Sequence, residues 1–143
     1  MKRLLTVAAC SAATGVVAGH ELDDRDLTNG QALYAEQCAS CHGANLEGQP
    51  DWQTPDENGV LPAPPHDESG HTWHHDNQLL FEYTRLGGEA ALAVRGVDGF
   101  ASGMPGFGDI LTDDDIWDIL AYIRSTWPER VQVIQAGRNP PHP

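Results

Sequence analysis

The chain has 143 residues, including ten prolines and fifteen glycines, enough for one compact unit in which much of the backbone is loop. Twenty-one acidic side chains against eight basic ones give a formal charge of −13, a surface that repels phosphate backbones and anionic headgroups. That argues against nucleic acid as a partner and against peripheral binding to acidic membranes, and three cysteines are too few for a disulfide network.

Met1-Lys2-Arg3 is a basic start, Leu4 to Val17 is an apolar and small-residue run, and Val17-Ala18-Gly19 offers small residues for a signal peptidase. The pattern predicts a cleaved signal peptide over 1–19 and a periplasmic protein, not integral to the membrane once processed. Two readings compete with it. An uncleaved anchor would need about 20 apolar residues, and this run is shorter and broken by Thr6, Ser11, Thr14 and Gly15. Val7-Ala8-Ala9-Cys10 resembles a lipoprotein lipobox, but its apolar lead, Leu4 to Ala9, is short for a signal core of roughly seven to fifteen residues. Without residues 1–19, six arginines and no lysine face twenty-one carboxylates, a formal −15, so a protein partner is expected to present a basic face.

Residues 20–27 form an acidic lead-in, and Thr28 or Asn29 is expected to cap a helix from Gly30 to Gln37 that delivers Cys38. Gly43 to Ser69 shows no sustained period and is punctured by glycine and proline, which predicts a long loop needing something other than backbone pairing to organise it. Asp76 or Asn77 caps a helix from Gln78 to Leu86, ended by Gly87-Gly88, and a second looped region runs from Ala90 to Asp109. Thr112 caps the last strong helix, with Asp113, Asp114 and Asp115 at its positive end and Ile116, Ile119, Leu120 and Ile123 on one face. Pro128 stops it, Val131 to Gln135 can continue as a short turn, and 137–143 reads as a flexible tail after a domain spanning 28–136. No internal repeat and no second domain is evident.

The chemistry concentrates in Cys38-Ala39-Ser40-Cys41-His42. Two cysteines three positions apart on a helical turn can form thioethers to the two vinyl groups of one haem, and the histidine that follows then reaches the iron. Half a zinc site and a thioredoxin-like redox pair are the alternatives. Zinc would want further thiolates or suitably spaced histidines, and a redox pair would want a preceding strand and has no use for the histidine.

With Gly30 and Tyr34 ahead of Cys38-Ala39-Ser40-Cys41-His42-Gly43, Gly103-Met104-Pro105-Gly106-Phe107 late in the chain, and Leu120-Ala121-Tyr122-Ile123 in the closing helix, the sequence resembles the class I cytochrome c family from Thr28 to Trp127. The resemblance implies an all-α fold of three or more helices and long loops wrapped around one covalently bound haem c. It implies that the first and last helices cross at Gly30 and Tyr34 against Ile119, Leu120 and Tyr122. It implies a proline carbonyl on the free nitrogen of His42, for which Pro64 in Ala63-Pro64-Pro65-His66 is the candidate, although three prolines and a histidine stand where an apolar residue is usual.

Met104, the one methionine left after Met1, lies where the family's sixth iron ligand lies. His66, His71, His74 and His75 compete for that role. Their plainer use is to cap and line a solvated loop, and a secondary copper or zinc site of His71, His74 and His75 is an alternative. Trp52, Trp73 and Arg85 are expected haem neighbours able to satisfy propionates. The resulting expectation is a single-haem carrier moving one electron at a time between redox proteins, rather than an enzyme. The alternatives are a cytochrome subunit of an oxidoreductase complex, a haem protein with a copper-binding histidine loop, and a peroxidase whose sixth ligand leaves.

Overall fold

The computed structural model describes residues 21–140, so the expected signal segment lies outside the described residues. Within them the chain is all-helical, with no strand: α1 (Leu27–Gln37), α2 (Ala39–His42), a 3-10 turn (Thr72–His74), α3 (Asn77–Leu86), α4 (Gly88–Ala93), α5 (Asp113–Ser125) and α6 (Glu129–Ala136). No described helix is long and apolar enough to cross a membrane.

The cap of α1 is Asp26 rather than Thr28 or Asn29. Its carboxylate accepts the backbone N–H groups of Thr28 and Asn29, both at 3.0 Å, which satisfies two of the donors a helix start leaves unpaired. Asn29 is thereby released for another task. Its side-chain amide reaches α5, donating to Asp118 at 3.0 Å and Asp115 at 3.3 Å. One residue on, Gly30 lies directly against the Asp118 peptide; a Cβ there would sit 2.6 Å from its carbonyl carbon and closer still to its oxygen. Glycine at this point lets the two backbones approach, and Tyr34, 1 % exposed, tilts against Tyr122 with ring centroids 5.7 Å apart.

α5 starts with a reciprocal capping box, the Thr112 hydroxyl accepting the Asp115 N–H while the Asp115 carboxylate accepts the Thr112 N–H at 3.0 Å. Ile116, Ile119, Leu120 and Ile123 are all buried, as their spacing predicts, and Trp127 and Val131 extend the same core toward α6. Asp76 caps α3 through the Leu79 N–H, and Phe81 stacks on Trp117 at 4.4 Å to seat α3 on α5.

Three stretches differ from expectation. Gly88 to Ala93 is helical although Ala90 onward reads as loop: Gly87, at φ 84°, ends α3 and turns the chain so that a second, six-residue helix starts at once. α6 is a two-turn helix rather than a short turn, because Gln135 is fully buried and donates to Asn77 Oδ1 at 2.7 Å, tying α6 to the start of α3. Asn139, inside the expected tail, accepts the Asn77 backbone N–H at 2.7 Å and donates to the Gln135 carbonyl.

Gly43 to Ser69 contains no helix or strand. It folds back on itself through backbone bonds from Gly48 to the His42 carbonyl, Gln49 to Ala63 and His66 to Leu46, each 2.8 to 2.9 Å.

Replacing glycine by alanine inside a helix ordinarily stabilises by roughly 0.5–1 kcal/mol. At Gly30 overpacking of about 1–3 kcal/mol opposes that gain, so Gly30→Ala is expected to lower the unfolding free energy, read by denaturant titration of the folded protein. A variant as stable as the wild type would show that the crossing is not set by close backbone approach.

Candidate functional site

α1 ends at Cys38, and the chain turns once more through α2 before Gly43, at φ 84°, breaks it. Backbone bonds from Cys41 and His42 to the Cys38 carbonyl, 3.1 and 2.9 Å, make this a helical turn, which puts residues three apart on one side. Both thiols are free, Cys38 half-buried and Cys41 exposed. Burial pushes the Cys38 thiol up to about 11, with Cys41 adding to the shift. A redox pair activates its nucleophilic thiol by the opposite shift, so this turn lacks that signature.

His42 is buried, and its Nδ1 lies 2.8 Å from the Pro64 carbonyl oxygen. A carbonyl oxygen can only accept, so Nδ1 carries the proton and Nε2 the lone pair. Burial lowers the ring's pKa, partly offset by the Pro64 bond, and keeps it a neutral donor. Pro64 is itself held in place. Gln49 and Ala63 bond twice, Gln49 N to Ala63 O and Ala63 N to Gln49 Oε1, both at 2.9 Å, and Gly48, at φ 70°, lies against the Pro64–Pro65 peptide where a Cβ would collide. Tyr34 closes the other side, its hydroxyl donating to the Gly43 carbonyl at 2.9 Å.

His66 is not a solvated loop residue. Its ring stacks on His42 at 4.0 Å and 21°, its Nδ1 pairs with the Thr72 hydroxyl at 2.8 Å, and its carbonyl accepts the Trp127 indole N–H at 2.7 Å. Packed face to face on His42 and paired with Thr72, His66 would serve as a wall beside the haem histidine. His71 stacks on Trp52 at 5.3 Å and meets His75 edge-on at 5.2 Å, whereas His74 lies over Trp73 at 3.8 Å. Among the described residues no group of three or more His, Cys, Asp and Glu converges on a point that could hold a metal ion.

Met104 is positioned separately, by the junction of α3 and α4. The Gly88 N–H donates to the Met104 carbonyl at 3.2 Å, Phe107 N–H to Thr84 O at 2.9 Å and Gly108 N–H to Arg85 O at 3.0 Å. Gly87 and Gly106 lie where any Cβ would strike the facing backbone. Two of the expected haem neighbours have other partners: Trp73 Nε1 donates to the Glu68 carbonyl at 3.3 Å, and Arg85 pairs with Asp113 at 3.4 Å.

A family model described as cytochrome c matches residues 27–127. The chain belongs to the cytochrome c family. Neither the curated proteins nor the solved structures returned a match. Cytochromes c are haem-bearing electron carriers, and the family implies covalent haem c here, with which the Cys38 and Cys41 spacing is consistent. The local chemistry fits that group: two unpaired thiols on one turn, followed at once by a neutral imidazole whose outer nitrogen is fixed by a carbonyl.

Sequence reasoning missed the Trp127 and Thr72 contacts that lock His66, because Trp127 lies 61 residues along the chain and a loop threonine carries no sign of its partner. It also missed Ser102, whose Oγ accepts the Met104 backbone N–H at 3.2 Å, a serine two residues before the methionine being the available signal.

Proposed function

We propose that this cytochrome is a periplasmic single-haem carrier that passes one electron at a time between redox proteins. In this reading Cys38 and Cys41 would hold the haem, His42 and Met104 would ligate its iron, and the Pro64 carbonyl would orient His42. The bond from His42 Nδ1 to Pro64 O carries the proposal, since it fixes the tautomer an iron ligand requires in a ring next to two free thiols. Each thioether forms by adding a cysteine S–H across a vinyl group, sulfur to one carbon and hydrogen to the other, and needs no oxidant. Once bound, haem would supply a one-electron iron couple, and Met104 as a ligand would raise its potential. With His42 and Met104 both on the iron, no position would be left for substrate, which favours transfer over catalysis. Export is supported by the basic start and apolar run of residues 1–19.

The partner reading rests on charge. Arg25, Arg85, Arg95, Arg124 and Arg130 are each paired with a carboxylate, leaving an acidic surface whose few cations are locally neutralised. That surface suits a redox partner with a basic docking face.

Three measurements test these statements. Haem is expected to survive extraction that removes non-covalent haem, and the mass of the mature chain to equal polypeptide plus one haem; bound zinc without haem would end the proposal. Met104→His is expected to lower the potential while the iron stays six-coordinate, and Met104→Ala to lose the near-infrared band of sulfur ligation and bind cyanide more readily. A wild type lacking that band, with Met104→Ala unchanged, would exclude methionine. Electron-transfer rates with a basic partner are expected to fall as ionic strength rises from about 0.01 to 0.15 M, over which the screening length shrinks from about 30 to 8 Å. Rates that rise instead would indicate an acidic partner.

A further inference from the structure

We infer that His66 and Thr72 are positioning residues that set the ring plane of His42, an inference that rests on the reading of His42 as an iron ligand. His66 follows Pro64 and Pro65 at a place where an apolar side chain would be enough to fill space. The histidine brings two things such a side chain lacks, a flat face and a polar edge.

The Pro64 bond alone leaves the plane of His42 open. The torsion that turns an imidazole about its Cβ–Cγ bond has broad preferences, and a carbonyl oxygen accepts a hydrogen bond over a wide range of directions. With Nδ1 2.8 Å from the Pro64 oxygen, one edge of the ring is located, yet the ring can still tilt about the line joining the two atoms. A flat group laid on one face removes that freedom. The His66 ring is such a group, its centroid 4.0 Å from that of His42 and the two planes 21° apart.

For one ring to fix another it must itself be fixed. The His66 N–H donates to the Leu46 carbonyl at 2.8 Å and its carbonyl accepts the Trp127 indole N–H at 2.7 Å, which pins the backbone on both sides of the residue. Tyr34 meets the ring edge-on, with centroids 6.3 Å apart at 71°. What remains is rotation of His66 about its own Cβ–Cγ bond, and Thr72 stops it, its hydroxyl lying 2.8 Å from His66 Nδ1. Thr72 is buried in the 3-10 turn and also donates to the Pro65 carbonyl at 3.4 Å. A hydroxyl has one proton to give and lone pairs to accept with, so it can serve the Pro65 carbonyl and the His66 ring together. The plane of His42 is thereby referred, through one stacked ring, to a single hydroxyl on a separate turn. Valine at that position would keep the volume and lose the bond, leaving a ring nitrogen unpaired; serine would keep the bond.

The test is proton NMR of the oxidised, haem-loaded protein, whose haem methyl resonances respond to the plane of an axial imidazole, with denaturant unfolding measured on the same samples. Thr72→Val is expected to shift those resonances and narrow their spread, as His42 averages over a wider range of planes, and Thr72→Ser to give the wild-type pattern. His66→Leu, which removes the face and the edge together, is expected to produce the larger shift. A merely structural role would lower the unfolding midpoint of Thr72→Val and His66→Leu and leave the methyl pattern at its wild-type values. That result would overturn the positioning role alone, as would a Thr72→Ser pattern equal to that of Thr72→Val. A wild type without covalent haem, or with a haem spectrum unchanged by His42→Ala, would overturn the proposed function and this inference together.

Discussion

The close approach of α1 and α5 at Gly30 is the constraint on which the rest of the molecule depends. Because Gly30 has no side chain, α1 lies against the Asp118 peptide, and Asn29 fastens the contact with two bonds to α5 carboxylates. α1 ends at Cys38, so the position of the Cys38–His42 turn is inherited from that crossing. Tyr34, one turn beyond Gly30, fills the space beside the contact and bonds the Gly43 carbonyl, joining the core to the end of the turn. A shift of α5 against α1 would therefore displace the cysteines and the histidine together.

Around His42 the protein uses backbone rather than charge to prepare an imidazole. The Pro64 carbonyl takes the Nδ1 proton, and Gln49 and Gly48 keep that carbonyl in place. His66, against the face of His42, is itself immobilised by Thr72 and Trp127, so the wall on this side is a stack of rings with their polar edges satisfied. Burial pushes the pKa of both rings down, which keeps two adjacent imidazoles from carrying like charges. A buried stack of this kind restricts rotation of His42 without a further ligand.

Much of the helical framework was legible because it depends on local chemistry. Asp76 and Thr112 act as caps where a side-chain oxygen before an apolar period predicts one, and the four periodic apolar residues of α5 are all buried. The start of α1 was less legible because Asp26, two residues before the expected caps Thr28 and Asn29, can cap as well; tertiary pairing with α5 takes up Asn29. α4 was hidden by Gly87-Gly88, a pair that reads as a stop although only the first glycine needs positive φ. The Cys38–His42 turn, Pro64 and Met104 were visible as motifs, and their chemistry as an iron site rests on the family. The role of His66 was not legible, since nothing in its neighbours along the chain distinguishes a ring packed on His42 from a histidine in water.

The segment from Val94 to Ala101 leaves α4, is exposed from Val94 to Gly99, and returns at Ser102. Its departure is fixed by the Val97 N–H on Leu92 and the Arg95 guanidinium on Glu82, and its return by the bonds around Met104, so both ends are anchored without help from Gly96 to Gly99 themselves beyond that one backbone bond. Gly96 and Gly99 both take positive φ there, with nothing near enough to meet a Cβ. Doubling the length of such a tether costs only about 0.6 kcal/mol in closure entropy. This is consequently the place where the chain can grow: a reporter peptide, or a recognition element for a new partner, can be spliced between Gly96 and Gly99 while the methionine beyond it keeps its address.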